Sequence, residues 1–232
     1  MQAAAILVLL ICYGTAGYLT WQQRNPIYLF ALIAGHLGAL LSPLWSLLYS
    51  GNGKPSLGAI QAAISQPPSL TIILIAGWHY SLPTLLVLFL YVTRWWFPGN
   101  ITGGLTYLVF TLYHLLIELI GLRANLWSYQ NLVLPLGLPA AIVAAIMAGL
   151  VSYTLLYVLL ATYRYAWTSM AFSVIPALLL ISLLVHGLLG APLWITLTLN
   201  GAEWAVALGT ASALSLLLWA IVIVTGGLRR VE

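Results

Sequence analysis

Apolar runs of helix length recur along almost the whole chain, and the short segments between them hold most of its few charges. A hydrocarbon layer offers no water to backbone groups, so a segment crossing it must satisfy them internally. Runs of about 20 residues do this as helices, whereas barrel strands would alternate and be about half as long. With 63% hydrophobic and 4% charged residues among 232, the chain cannot clothe a water-soluble surface. We therefore read residues 1–232 as one all-α, multi-pass integral membrane domain. Its seven-transmembrane-helix bundle has spans near Ala4–Trp21, Ile27–Tyr49, Leu70–Thr93, Leu105–Leu122, Leu134–Tyr163, Trp167–Leu189 and Ala202–Thr225.

The fifth run is longer than a bilayer needs, so it is expected to tilt, to bend near Pro139 or to begin in the interface. Pro43, Pro83 and Pro176 predict kinks in the second, third and sixth helices. Between Ser50 and Ser69 the stretch Leu57–Ile64 is expected to be a connector or a short interfacial helix over the outer mouth. Arg24, Arg94, Arg164, Arg229 and Arg230 fall on one side of seven spans, and Lys54 and Arg123 on the other. That asymmetry predicts an outside N-terminus and a cytoplasmic C-terminus. The expected location is a bacterial inner (plasma) membrane. The net charge of +4 is spread thinly, so no nucleic-acid surface is expected. Cys12 is the only cysteine, which excludes an internal disulfide and a cysteine-based metal site.

Against this background Glu118 stands out. The only other acids are Glu203 and Glu232, and there is no Asp. An acid at membrane depth costs roughly 2.5–3.5 kcal/mol on insertion scales, so such a residue is read as functional by default. Tyr107, Thr111, His114, Glu118 and Gly121 are spaced to share one helix face, and a polar face must point into the bundle. Depth arguments place His79, His114, Glu118, His186 and Glu203 in the outer half, beneath a rim of Trp78, Trp127, Tyr129 and Trp204. His36 lies deepest. His36 and His186 also read as packing residues, and Glu203 as a carboxylate favoured by a helix N-terminus. Arg123 follows Glu118 by five residues, on a different face, which argues against simple neutralisation.

A carboxylic acid in an apolar pocket can act as a general acid, and a neighbouring histidine can hold or resupply its proton. Protonating an olefin or epoxide creates a carbocation, which aromatic faces stabilise by roughly 2 kcal/mol or more each when dry. The pattern therefore points to acid-initiated chemistry on an isoprenoid lipid. Glu118-Leu119-Ile120-Gly121-Leu122-Arg123-Ala124-Asn125-Leu126-Trp127-Ser128-Tyr129, followed by Leu136-Gly137-Leu138-Pro139, resembles the central motif of small bacterial carotenoid-biosynthesis membrane proteins, the carotenoid hydratases and lycopene cyclase-like domains. His114-Leu115-Leu116-Ile117-Glu118 is also similar to the His-x-x-x-Glu step of membrane sterol isomerases.

The resemblance implies that Glu118 is the proton donor and that Trp127 and Tyr129 line the pocket. His114 is then the expected relay, with Glu203 or His79 as terminating base. Tyr107, Thr111, Trp78 and Trp204 are expected at the substrate, and neither metal nor cofactor is called for. The expected function is a cyclase, hydratase or isomerase acting on a carotenoid or other isoprenoid lipid within the membrane. The competing reading is a non-catalytic subunit of a larger photosynthetic or respiratory complex, packed against partner membrane subunits or a pigment. Haem could then sit between His79 and His114, or between His36 and His114. A retinal protein is excluded in its usual form, because Lys54 is the only lysine and falls in a connection.

Overall fold

Among the described residues, seven helices are long and apolar enough to cross a membrane: Ala3–Gln23, Ile27–Tyr49, Leu70–Val92, Asn100–Arg123, Ala140–Thr162, Trp167–Leu189 and Glu203–Leu228. The computed structural model describes residues 2–49, 61–62, 65, 69–126, 129, 133–199 and 202–230. It is 83% helical and has no barrel. Most of the expected interfacial stretch Leu57–Ile64, and Lys54, Trp127 and Glu232, lie outside the described residues.

The fourth span turns its polar residues inward and its leucines outward. On the fourth span Leu105, Leu108, Leu112, Leu116 and Leu119 are exposed, while Gly103, Thr106, Phe110, His114, Glu118 and Gly121 are buried. Leucine costs nothing against lipid tails, whereas a polar group does, so the polar face turns inward. The fifth span is the axis of the bundle: most of it is buried, whereas the first span is largely exposed. It packs against the third, fourth, sixth and seventh spans.

The three proline-bearing spans are broken where the sequence places proline. The second passes from Ile27–Gly38 through a tight 3-10 turn, Ala39–Leu41, into Ser42–Tyr49, with Pro43 in the first turn of the new helix. The third divides at Tyr80 into Leu70–His79 and Ser81–Val92, since Pro83 has no N–H to return to the preceding turn. The sixth is interrupted at Pro176 between Trp167–Val174 and Ala177–Ser182, then widens into a π-helical stretch, Leu183–Leu189.

Two expectations need correction. The fifth helix begins at Ala140, not Leu134. Its extra apolar residues form a hairpin of strands β1, Val133–Leu134, and β2, Leu138–Pro139, with Leu134 paired to Leu138. Pro135 and Gly137 turn the chain, and Leu136 and Gly137 both take positive φ, 80° and 69°. The segment before the seventh span also holds an unforeseen helix, Ala191–Thr198, too short to cross a bilayer.

Glycines let the spans approach backbone to backbone. A methyl group on Gly35 would lie 2.6 Å from the Ala76 carbonyl oxygen and 2.8 Å from that of Gly77. One on Gly149 would lie 2.7 Å from Thr111 Oγ1 and 3.1 Å from Thr111 Cα. Neither helix can yield locally, because the obstructing atoms include backbone. Gly35→Ala should therefore cost about 1–3 kcal/mol by overpacking. Gly104→Ala, with nothing within 4 Å of the added methyl, should be neutral or slightly stabilising. Thermal unfolding of the two variants in the same detergent checks the contrast.

Candidate functional site

Between the helices lies a cavity of about 550 Å³, and most of its walls come from one end of the bundle. Ser42, Trp45 and Tyr49 belong to the last turns of the second span, and Ile72, Ile75 and His79 to the first half of the third. Glu118 lies in the last two turns of the fourth, Val143 and Met147 in the first turns of the fifth, and Ser182 and His186 late in the sixth. Consecutive spans alternate in direction, so these segments meet at the level of the connections after the second, fourth and sixth spans. The depth convergence expected from the sequence is thus also a convergence across the bundle for His79, Glu118 and His186.

Glu118 is only 9% exposed and lines this space. Tyr129, from the connection after the fourth span, donates its hydroxyl to Glu118 Oε2 at 2.8 Å. Burial first, and then the Glu118 charge, pushes the Tyr129 hydroxyl well above the usual tyrosine range, so it remains a donor at any ordinary pH. Arg123, by contrast, is exposed. A neutral hydroxyl thus holds one oxygen of the carboxyl group.

A second polar system involves the third, fourth and fifth spans. The Tyr80 carbonyl, at the junction of the two helical pieces, also accepts from side chains: Ser152 Oγ at 3.0 Å and Thr84 Oγ1 at 2.8 Å. Ser152 has one proton, and this bond uses it. His114 Nε2, at 2.7 Å from Ser152 Oγ, must then be the donor. The neutral ring consequently has a bare Nδ1, which accepts from His79 Nε2 at 3.0 Å. His79 is left with a bare Nδ1, and its ring lines the cavity. The chain of bonds thus fixes a proton acceptor at the wall through a residue, His114, that is 0% exposed.

A third cluster surrounds His186 on the π-helical stretch, a distortion often found at functional sites. Trp45 stacks on its ring at 5.5 Å between centroids, and Tyr49 meets it edge-on at 6.4 Å. Trp45 Nε1 donates to Ser182 Oγ at 2.9 Å, and Tyr49 donates to the His186 carbonyl at 2.6 Å.

The remaining residues expected at the site are placed elsewhere. His114 sits one layer behind the wall, and its two ring nitrogens go to His79 and Ser152 and not to Glu118. Tyr107 donates to the Ile146 carbonyl and Thr111 to the Tyr107 carbonyl, so both serve the contact with the fifth span. Glu203 is exposed at the start of the seventh span and Trp204 is 69% exposed, since that helix end projects from the bundle. Trp78 is half-buried with its Nε1 sealed and unpartnered, away from the cavity wall. Trp127 lies outside the described residues.

His36 is a packing residue, stacked on Tyr13 at 5.9 Å and held by the Ile73 carbonyl at 3.0 Å. His79 and His114 touch directly, leaving no room for a haem plane between them. Sequence reasoning missed Trp45, Tyr49, Tyr80, Ser152 and Ser182 as site residues. The spacings Trp45-x-x-x-Tyr49 and Ser182-x-x-x-His186 could have pointed to two shared faces. Ser152, alone on an otherwise apolar helix face, carries no such signal.

No protein-family model, curated protein or solved structure matches this chain.

The serine at the root of the histidine chain gives a direct test. Ser152→Ala strands His114 Nε2–H and should cost about 1–3 kcal/mol, the range for an unsatisfied buried polar group. Ser173→Ala, removing an exposed hydroxyl bonded to its own helix, should be neutral. Thermal unfolding of the pair distinguishes them.

Proposed function

We propose that the protein is an acid-initiated cyclase, hydratase or isomerase of a carotenoid or other isoprenoid lipid, working in this cavity without metal or cofactor. One observation carries the reading: Glu118, held by Tyr129, and His79, held by His114, line the same largely apolar space. A proton donor and a proton acceptor in one largely apolar, aromatic-lined chamber are what such chemistry requires.

The Glu118 carboxyl transfers its proton to one carbon of a double bond. The π pair becomes the new C–H bond, and the other carbon becomes cationic. The Tyr129 hydrogen bond stabilises the carboxylate that remains. Trp45, Tyr49, Tyr80 and Tyr129 offer π faces to the cation. Attack by water or by a second double bond of the same chain, or direct loss of a neighbouring proton, ends the reaction. In each case one proton leaves, and His79 Nδ1 accepts it. Its return from the imidazolium to the Glu118 carboxylate restores the starting state.

The arginine asymmetry supports an outside N-terminus in a bacterial inner membrane, and the cavity then lies toward the outer leaflet. Glu118→Gln should abolish conversion of the co-purifying isoprenoid lipid while leaving expression and monodispersity unchanged. Tyr129→Phe, which removes one donor from the carboxylate, should slow it by about 10²-fold. Product analysis by mass spectrometry after incubation in membranes reads both. Full activity in Glu118→Gln would sink the assignment.

A further inference from the structure

At the end of the bundle away from the cavity, each of the three connections carries one arginine. Arg24 lies between the first and second spans, Arg94 between the third and fourth, and Arg164 between the fifth and sixth. All three are exposed, and none of these connections contains an acid. The described acids, Glu118 late in the fourth span and Glu203 at the start of the seventh, belong to the opposite end. Three helices end just before these arginines and three begin shortly after them, so opposed helix dipoles leave the guanidinium charges unanswered.

The connections are also drawn together across the bundle. Asn25 Nδ2 donates to the Tyr163 carbonyl at 3.0 Å, which sets the residue after Arg24 against the residue before Arg164. Asn25 Oδ1 accepts from the Ile27 N–H at 3.0 Å, so the side chain is fixed from both sides. Burial, and then nearby Tyr91, three residues before Arg94, pushes the Tyr163 hydroxyl up. Each arginine has an exposed aromatic ring within three residues: Trp21 before Arg24, Trp95 after Arg94, and Tyr165 and Trp167 after Arg164. Such rings settle at the level of lipid headgroups, which puts the arginines near the phosphates. Arg24 and Arg94 both hold positive φ, 52° and 61°, where glycine would fit with less strain. A cation stands at both positions nonetheless.

We propose that this end of the bundle is an interaction surface for anionic phospholipids, each arginine answering the phosphate of a lipid of its own. The surface is independent of the chemistry proposed for the cavity. A guanidinium fork matches two oxygens of a phosphate, and these three have no carboxylate in their own connections to compete for them. A zwitterionic headgroup brings an ammonium of its own, which the arginines repel, whereas an anionic headgroup brings none. A soluble phosphate would satisfy the charge but leave the aromatic rings beside each arginine in water. A lipid meets both, with its phosphate at the arginine and its glycerol and chains at the ring.

The test uses the full-length protein in detergent, offered equimolar phosphatidylglycerol and phosphatidylcholine with identical acyl chains. Native mass spectrometry reads which is retained. Phosphatidylglycerol should be enriched at least about 5-fold, the factor expected from the attraction of one basic residue to an anionic lipid surface. The enrichment should fall as salt is raised from about 0.05 M to about 0.5 M. The combined variant Arg24→Gly, Arg94→Gly and Arg164→Gln should lose most of it, glycine suiting the two positive-φ positions. Arg123→Ala, which removes a charge from the opposite end, should keep it. Equal retention of the two lipids by the unmodified protein overturns the proposal, as does an unchanged ratio in the combined variant. Loss of the enrichment on adding glycerol phosphate at the concentration of the lipid marks a site for soluble phosphate and overturns the lipid assignment. If the combined variant fails to fold, the salt series on the unmodified protein decides: an enrichment indifferent to salt overturns the proposal.

Discussion

A polar group inside a hydrocarbon layer has no water to turn to, and that constraint organises this molecule from the third span outward. The third span divides at Tyr80, and the carbonyl at that junction receives polar side chains as well as its own helix. In water such a carbonyl would simply be hydrated. Here it is answered by Thr84 and Ser152, and the answer propagates. Once the Ser152 proton is committed, His114 can only donate, and His79 can only present an acceptor. A single carbonyl at a helix junction thus sets the hydrogen-bonding pattern of a ring at the cavity wall.

Close packing makes this possible. Ser152 reaches both Tyr80 and His114 because the fifth span lies at the centre of the bundle, and small residues let neighbours approach it. Gly149, three residues before Ser152, sits against Thr111, three residues before His114. Without that approach the two helix faces would stand a side chain further apart, and the serine would reach only its own helix. The glycine contact and the polar chain are two consequences of one helix crossing.

Much of this was legible in the sequence, and the limits have physical causes. Span positions follow from hydropathy, because the bilayer fixes both length and composition of a crossing helix. The inward face of the fourth span follows from the placing of His114 and Glu118 three to four residues apart. The depth of His79 and His186 follows from counting along alternating helices. What the sequence does not encode locally is position across the bundle. Whether His114 reaches Glu118 or His79 depends on side-chain direction at a helix crossing, and the structure gives it to His79. Glu203 shares the right depth but opens a helix end that projects outward. The hairpin at Val133–Pro139 was hidden because an apolar strand and an apolar helix read alike until Pro135 and Gly137 are weighed as turn residues.

The two polar systems also divide their labour by how they are supported. The Glu118 carboxyl is met by Tyr129, a residue of a connection, whereas His79 is backed by groups on two helices of the bundle core. A donor held from a connection can shift with the charge on its partner at little cost to the packing around it. An acceptor backed by Ser152 and the Tyr80 carbonyl cannot turn without stranding a buried donor. An acid that must change its charge during a reaction cycle is better served by the first kind of support. A base that must wait with one nitrogen bare is better served by the second.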